Sequence, residues 1–270
     1  MTWTSDTPPP DGAIPPWTWP HVVLRGCGLV LLICAGLVVK FLLRLIERPL
    51  CGLRRPVSPF VTQAVCLMAL RVLGLQLTIT GTPMVERGAL VANHASWLDI
   101  FVLNAATRVF FVSKAEVADW PGIGWMARAT GTVFIRRDRR DAARQKLVFE
   151  ARLRAGHRLL FFPEGTSSDS LRVLPFKSTL FAAFFAPELQ DFLHIQPVSV
   201  TYHAPHGTDP RFYGWWGDMD FGRHFLRVLA QPRRGRVDLV FHPPMRAADW
   251  SDRKALAEAC ETAVRAGATC

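Results

Sequence analysis

The six cysteines of this 270-residue chain lie far apart, and no two of them form a C-x-x-C pair. The sequence therefore offers no pattern for a zinc site or for a disulfide framework, and a reducing compartment is expected. No stretch of the chain repeats another, so a length of 270 residues indicates one catalytic-sized domain, alone or with an appendage.

Acidic residues are scarce relative to basic ones. Lys and Arg number 32 against 22 Asp and Glu, so the net charge is +10, and the isoelectric point is about 10.0. Such a balance favours an anionic partner. A phospholipid surface, an acidic carrier protein, a phosphorylated substrate and nucleic acid all fit this charge, and composition does not choose between them.

The first 21 residues contain no Lys or Arg and are rich in Pro and Trp. Residues 1–21 are therefore predicted to form a flexible lead-in, with aromatic side chains suited to an interface. An uncharged apolar run follows from Gly26 to Val39. With residues 22–24 it approaches the roughly 20 apolar residues that a bilayer core requires, so it is predicted to enter the membrane.

Arg25 directly precedes this apolar run, but most of the nearby basic residues come after it. They are Lys40, Arg44, Arg48, Arg54 and Arg55, with Glu47 as the acidic residue among them. Positive charge marks the cytoplasmic side of a membrane helix, and a signal peptide would carry its charge ahead of the apolar run. A second apolar segment, residues 60–77, contains Arg71 and fits an interfacial or domain-packed helix. Residues 22–78 are thus predicted to be membrane-anchoring helices, the alternative being two ordinary core helices.

Beyond Gln76, short β-rich runs alternate with turns and helical stretches. This alternation predicts an α/β domain over residues 79–270. One helix is predicted over DAARQKLVFEARLRAG, where Asp141 can cap the start and Gly156 the end. Residues 201–223 are rich in Gly and aromatic residues, and they are predicted to form a long loop near the membrane or the site.

The stretch VANHASWLDI places an imidazole and a carboxylate five positions apart at the end of an apolar run. A strand is predicted to end at Asn93, with His94 in the turn and Asp99 in the first turn of a helix, where unpaired N–H groups and the helix dipole favour an ionised carboxylate. That carboxylate can accept one imidazole N–H, which leaves the other nitrogen free to act as a general base. The alternative is that Asp99 only completes a capping box with Ser96.

Three further stretches follow in order, and together with the first they resemble the glycerolipid acyltransferase family, which includes bacterial lysophosphatidate acyltransferases. The four matches are Asn93, His94 and Asp99 for an N-H-x-x-x-x-D box, GTVFIRR from Gly131, FPEGTSS from Phe162, and QPVSVTY from Gln196. A single box would be weak evidence, whereas four in order over about 110 residues are specific. The resemblance implies the acyltransferase fold, a mixed sheet flanked by helices.

The resemblance also implies the chemistry. His94, oriented by Asp99, would take a proton from an acceptor hydroxyl, which attacks the thioester carbonyl of an acyl donor without a covalent acyl-enzyme. The Gly-containing turn of the third box supplies backbone N–H groups as candidate oxyanion donors, and these come from Glu164, Gly165 and Thr166. The Glu164 carboxyl group is a candidate for orienting a substrate hydroxyl, the alternative being that it binds the backbone of its own turn.

Four basic residues are candidates for binding an anionic head group. Arg137 ends the second box and is the first choice, with Arg136 as its neighbour and possible substitute. Lys114 and Lys177 are further candidates. The alternative for each is a solvated surface position, and for Lys177 also a contact with the anionic bilayer.

The third box departs from the family pattern at one position. Phosphatidate-forming members usually have arginine after F-P-E-G-T, and that arginine can hold a phosphate bidentately. The residue here is Ser167. The surrounding run resembles bacterial lyso-ornithine lipid acyltransferases, which acylate the hydroxyl of a 3-hydroxyacyl amide of an amino acid. The expected acceptor is therefore lyso-ornithine lipid or a related lyso-aminolipid, with Asp169 available for an ammonium group.

The sequence thus predicts a membrane-bound O-acyltransferase of bacterial lipid biosynthesis, in the inner membrane with its catalytic domain facing the cytoplasm. Expected partners are a lyso-lipid acceptor, the bilayer and, as donor, acyl-carrier protein or acyl-CoA. No cofactor, metal or nucleic acid is expected. Two alternatives stay open: a 1-acyl-sn-glycerol-3-phosphate acyltransferase, and a non-catalytic, basic, membrane-anchored binding protein.

Overall fold

The computed structural model describes residues 3–9, 12–120, 122–135 and 142–268. Within these ranges the strands are β1 (Leu75–Thr80), β2 (Gly88–Ala92), β3 (Phe110–Lys114), β4 (Val133–Ile135), β5 (Leu159–Phe161), β6 (His194–His203), β7 (Gly235–Phe241) and β8 (Met245–Arg246). The α-helices are α1 (Trp19–Cys51), α2 (Ser58–Leu73), α3 (Asp99–Ala106), α4 (Ile123–Thr130), α5 (Ala142–Arg154), α6 (Pro187–Gln190), α7 (Phe221–Ala230) and α8 (Arg253–Gly267). Short 3-10 helices cover Pro16–Thr18, Ala115–Asp119, Ser178–Phe185 and Ala247–Asp249.

The strands form one mixed sheet in the order β1-β7-β6-β2-β5-β3-β4, with β8 paired to β6. β7 and β8 run antiparallel to β6, and the other neighbouring pairs are parallel. The predicted mixed sheet flanked by helices is confirmed. Strands β2, β3, β4, β5 and β6 therefore all end at one edge of the sheet, the carboxyl edge, and begin at the other, the amino edge.

Helices cover both faces of the sheet, and β2 shows why the sequence there is apolar throughout. All five of its residues are buried, as expected for a parallel strand covered on both sides. Leu90 belongs to the cluster that contains Leu70 of α2 and Leu103 of α3. Val91, one position on, belongs to the opposite cluster, which contains Phe181. The period-two alternation of the strand thus supplies both cores.

Helix α1 lies along the domain instead of projecting from it. Arg25 near its start donates to the backbone carbonyls of Leu229 at 3.2 Å and Gln231 at 2.5 Å. Near its end the Glu47 carboxylate accepts the backbone N–H groups of Val57 at 2.7 Å and Ser58 at 2.8 Å. Because those two N–H groups open α2, Glu47 caps the second helix and ties it to the first.

The outer face of α1 carries large apolar side chains that the protein does not cover. The exposed residues include Val23, Leu24, Val30, Leu31, Val38, Val39, Phe41, Leu42, Leu45, Ile46 and Leu50. Residues Pro16–Cys51 form a helix long and apolar enough, by length and composition, to cross a membrane. A surface of this kind is typical of contact with lipid.

Two helix ends follow from glycines in the left-handed region. Gly74 has φ +72° and ends α2 at Leu73, because only glycine adopts this conformation without strain. The second apolar segment is therefore not helical as far as residue 77, since the chain enters β1 at Leu75. Gly156, with φ +82°, follows the end of α5 as predicted, while Asp141 lies outside the described residues.

Residues 3–9, part of the predicted flexible lead-in, contact the catalytic domain. The backbone N–H of Trp3 donates to Thr166 Oγ1 at 3.3 Å, and the Trp3 ring centroid lies 6.4 Å from that of Trp216. Arg211 donates to Thr7 Oγ1 at 2.7 Å. These contacts bring the segment to the third box. The division into lead-in, anchoring helices and acyltransferase domain stays a prediction.

Candidate active site

The candidate site lies at the carboxyl edge, where β2 ends and the chain turns toward α3. Asn93 fixes this turn: its amide nitrogen donates to the Val200 carbonyl, and its amide oxygen accepts the Val200 N–H, both at 2.8 Å. The side chain thereby continues the pairing of β2 with β6 by one position beyond Ala92. His94 consequently leaves the sheet at a defined point.

Asp99 is the centre of a buried hydrogen-bond network. Its Oδ2 atom lies 2.7 Å from His94 Nδ1 and accepts the backbone N–H groups of Ala95 at 2.9 Å and Ser96 at 3.1 Å. Its Oδ1 atom accepts the hydroxyl of Tyr202 at 2.7 Å. The capping and the imidazole-orienting interpretations of Asp99 are thus combined in one carboxylate, which caps the turn and holds the ring.

The hydrogen bond to Asp99 sets the state of the His94 ring. An ionised carboxylate only accepts, so Nδ1 carries the proton and Nε2 keeps its lone pair. The ring of Phe162 stacks on the imidazole with centroids 4.0 Å apart and an interplanar angle of 10°. Asp99 is fully buried, whereas 21% of the His94 side chain is exposed. A base held in this way can reach a substrate at its exposed side.

Tyr202 is a residue of the site that the sequence argument missed. It ends the QPVSVTY box on β6, and its side chain is buried. Burial, together with the charge of Asp99, raises the pKa of the Tyr202 phenol well above its ordinary value. The hydroxyl therefore remains a donor to Asp99. The available signal was its place at the end of a matched box, but the partner was visible only once β6 lay beside β2.

Glu164 binds the backbone of the turn at His94. Its Oε1 atom accepts the His94 N–H at 3.3 Å, and Oε2 is buried with no hydrogen-bond partner among the described residues. Burial raises the pKa of the Glu164 carboxyl group to about 9. The group is therefore neutral near pH 7, and its contact is with the backbone of the first box instead of its own turn.

The free energy of unfolding of Glu164→Gln should increase relative to that of the wild type as the pH rises. The folded-state pKa of Glu164 is about 9 against an ordinary 4.5, so between these values the folded state holds a proton that the unfolded state has lost. Stability from this group is then full below about pH 4.5 and falls up to about pH 9. Glutamine has no such proton. Urea unfolding of both proteins in detergent at several pH values measures the difference, and a constant gap would contradict a neutral Glu164.

The rest of the third box forms a tight turn beside His94. Gly165 has φ +71°, and its N–H donates to the Phe162 carbonyl at 3.0 Å. That amide is therefore used within the turn, which leaves those of Glu164 and Thr166 as the oxyanion candidates. Ser167 is buried, and the N–H of Ser168 donates to the His94 carbonyl at 2.9 Å. First and third boxes are thus joined directly.

Asp169 does not have the free carboxylate that was expected for an ammonium group. It is buried, and Arg172 Nη2 lies 2.9 Å from its Oδ2 atom. Its Oδ1 atom accepts Arg172 Nε at 3.1 Å and the Leu171 N–H at 3.2 Å. Arg172 also lies over the Trp3 ring, with its Cζ atom 5.3 Å from the centroid. The expected ammonium contact is replaced by an internal ion pair directly after the third box.

The other basic candidates fall at or near the same edge. Lys114 is exposed and is the last residue of β3. Lys177 is exposed, and its backbone N–H donates to the Pro163 carbonyl at 3.0 Å, which places it beside the third box. Arg136 and Arg137 lie outside the described residues.

Comparison with known proteins agrees with this fold and site. The Acyltransferase family model matches residues 76–201. A lyso-ornithine lipid O-acyltransferase of Rhodobacter capsulatus is 55% identical over 265 residues, which cover 98% of this chain and 96% of that protein. The chain belongs to the acyltransferase family. It is an enzyme, and the alternative of a non-catalytic binding protein is set aside.

Other relatives carry two kinds of acceptor in their names. A lyso-ornithine lipid O-acyltransferase of Pseudomonas aeruginosa is 31% identical and covers 91% of this chain and 92% of its own length. A 1-acyl-sn-glycerol-3-phosphate acyltransferase of Neisseria meningitidis is 34% identical and covers 69% of this chain and 72% of its own length. The crystal structure of the 1-acyl-sn-glycerophosphate acyltransferase from Thermotoga maritima has a TM-score of 0.65 at 21% identity, over 93% of this chain and 94% of that one. This structural similarity supports the fold. The apolar helix of residues Pro16–Cys51, together with the membrane-lipid enzymes among the relatives, indicates that the protein associates with membranes.

Proposed function

We propose that the protein transfers a fatty acyl group from a thioester donor to the hydroxyl of lyso-ornithine lipid or a closely related lyso-aminolipid. The observation that carries the chemistry is the 2.7 Å contact between His94 Nδ1 and Asp99 Oδ2, which leaves Nε2 free as a base on a partly exposed side chain. The acceptor rests on the 55% identity to a lyso-ornithine lipid O-acyltransferase over nearly the whole chain and on Ser167.

His94 Nε2 removes the hydroxyl proton as the acceptor oxygen attacks the thioester carbonyl carbon. A new C–O bond forms, and the carbonyl electrons move onto its oxygen. When the tetrahedral species collapses, the C–S bond breaks and the thiolate takes the proton from the imidazolium. Asp99 stabilises the imidazolium between the two proton transfers. The backbone N–H groups of Glu164 and Thr166 are proposed to hold the oxyanion.

The donor and the location follow from charge and from the apolar helix. Acyl-carrier protein is acidic and coenzyme A is phosphorylated, so both fit a chain of net charge +10. No metal or cofactor has a step in the proposed reaction. The basic residues after the apolar run favour the cytoplasmic face of the inner membrane for the catalytic domain.

A direct competition tests the acceptor. Purified protein is given mixed micelles with equal surface fractions of lyso-ornithine lipid and lysophosphatidate, together with one labelled acyl thioester, and products are identified by mass. Ornithine lipid should dominate. Folded, membrane-bound His94→Ala serves as the blank. Efficient formation of phosphatidate without ornithine lipid would favour the function named for the Neisseria relative and overturn the acceptor assignment, while leaving the His94 chemistry in place.

Ser167→Arg should shift products toward phosphatidate. A guanidinium at this position can hold a phosphate bidentately, and a charged hydrogen bond is worth enough for a change of roughly tenfold in the ratio of phosphatidate to ornithine lipid. Ser167→Gln adds a side chain of intermediate length without charge and is the matched control. An equal shift in both variants would assign the effect to space in the pocket and not to phosphate recognition.

A further inference from the structure

Three arginines meet at the amino edge, across the sheet from His94. The Cζ atoms of Arg55 and Arg152 lie 5.5 Å and 5.7 Å from the centroid of the Phe110 ring. Phe110 is the first residue of β3. Arg44 comes from the last turns of α1. Burial, with the charges of Arg44 and Arg152, lowers the pKa of Arg55 to about 10. The guanidinium groups of Arg44 and Arg152 therefore repel that of Arg55. Arg44, Arg55 and Arg152 are named here the arginine cluster.

The acidic group beside the arginine cluster is already engaged. Glu47 Oε1 accepts the backbone N–H groups of Val57 and Ser58, and Oε2 lies 3.4 Å from Arg44 Nη1. Its single charge cannot balance three guanidinium groups. Burial, and after it the charge of Arg44, lowers the pKa of Arg152, so a positive neighbour adds to the cost of burying this guanidinium. The cluster is thus short of negative charge within the described part of the chain.

Hydrogen bonding in the cluster is also incomplete. Arg55 donates to the Thr130 carbonyl at 3.4 Å, and Arg152 donates to the Gly131 carbonyl at 3.2 Å and contacts His157 Nδ1 at 3.2 Å. A guanidinium offers five N–H donors. Burial and Arg152 lower the pKa of His157 to about 4, so the imidazole is a neutral acceptor. Most donors of Arg55 face no protein acceptor among the described residues.

Uncovered apolar side chains surround this edge. Leu50 is 77% exposed, and Leu53 and Phe60 are each 52% exposed. Arg108 lies over the Phe60 ring with its Cζ atom 4.0 Å from the centroid. Exposed apolar groups next to basic ones are the pattern of a surface that enters the head-group layer of a bilayer. This surface favours a lipid over soluble phosphate as the ligand of the arginine cluster, because only a lipid would place acyl chains against Leu50 and Phe60.

We propose that the arginine cluster binds the phosphate of an anionic phospholipid head group and anchors the end of α1 that is farthest from His94. The planar guanidinium forks match phosphate oxygens bidentately. The site lies at the opposite edge of the sheet from the reacting groups. It therefore does not depend on which lyso-lipid the enzyme acylates.

Vesicle flotation of the full-length protein tests the site. Partition is compared between phosphatidylcholine vesicles and vesicles that contain phosphatidylglycerol. Arg55→Gln with Arg152→Gln should reduce the preference for phosphatidylglycerol by roughly 10- to 30-fold, from about fivefold for each arginine near an anionic surface. The control is Arg246→Gln with Arg253→Gln, which removes the same charge from exposed positions on β8 and α8. The control should keep most of the preference.

Three results would overturn the proposal. Equal losses in both double variants would show general surface attraction. An unchanged preference in the cluster variant would show that the arginines do not contact lipid. Stabilisation of the wild type by inorganic phosphate, without any preference for phosphatidylglycerol, would assign the site to a soluble anion. Arg55→Lys keeps the charge but lacks the planar guanidinium that binds phosphate bidentately, and it tests the site even if the glutamine variant does not fold. This variant should lose part of the preference for phosphatidylglycerol while it acylates detergent-dispersed acceptor at the wild-type rate.

Discussion

Asp99→Asn should lower kcat by about 10³- to 10⁴-fold while the protein stays folded and bound to membranes. The amide oxygen can still accept the N–H groups of Ala95 and Ser96, which lie 2.9 Å and 3.1 Å from Oδ2 in the wild type. The negative charge that stabilises the imidazolium of His94 is lost, and the amide nitrogen then occupies the Oδ1 position, where it cannot accept the Tyr202 hydroxyl. Single-turnover and steady-state rates with a labelled thioester measure the effect.

Tyr202→Phe provides a graded comparison for the same network. It removes the 2.7 Å hydrogen bond to Asp99 Oδ1 but keeps the charge and the His94 contact, so the expected loss of kcat is roughly tenfold. Thermal unfolding of both variants separates catalysis from folding. If Asp99→Asn retained near-normal turnover, its carboxylate would serve only the turn at the start of α3.

Substitutions that introduce two carboxylates on the outer face of α1 should release the protein from membranes. Leu31 is 71% exposed and Leu42 is 55% exposed, so Leu31→Glu with Leu42→Glu leaves the packed face intact. An acidic group held in hydrocarbon costs about 2.5 kcal/mol, which corresponds to roughly 70-fold in partition for each substitution. Flotation with neutral vesicles gives the partition coefficient directly, and it isolates apolar burial from the charge effect of the arginine cluster.

Val85→Glu is the control for these substitutions. Val85 is 91% exposed and lies between β1 and β2, outside α1. A similar loss of binding in this variant would show that α1 is not the anchor. Deletion of the helix would be a poorer test, because it would remove buried Val22 and Leu29 from the core as well as the Glu47 cap of α2.

Local chemistry explains how far the sequence predicted the site. His94 and Asp99 are five positions apart, so a single turn determines their contact and the N-H-x-x-x-x-D spacing indicates it. Tyr202 lies 103 positions from Asp99, and no spacing rule reaches that far. The hydrogen bond forms because β6 pairs with β2 in a particular register, which only the assembled sheet defines.

The fold shows the same limit. Alternating β-rich and helical stretches predicted the α/β class, and Gly156 marked the end of a helix. The contacts of Trp3 with Thr166 and Trp216 were not predicted, since a segment rich in Pro and Trp has no periodicity that indicates a partner. The role of Glu164 was also predicted only in part. Its turn was predicted, but its hydrogen bond to the His94 backbone depends on β5 lying beside β2.

The attachment of α1 at both of its ends has a kinetic consequence. Arg25 binds the carbonyls of Leu229 and Gln231, and Glu47 binds the first N–H groups of α2, so the helix and the catalytic domain diffuse along the bilayer as one unit. Enzyme and acceptor then meet in two dimensions. The reaction rate should follow the surface density of the acceptor, and dilution with inert lipid should slow turnover even when the bulk concentration of acceptor is unchanged.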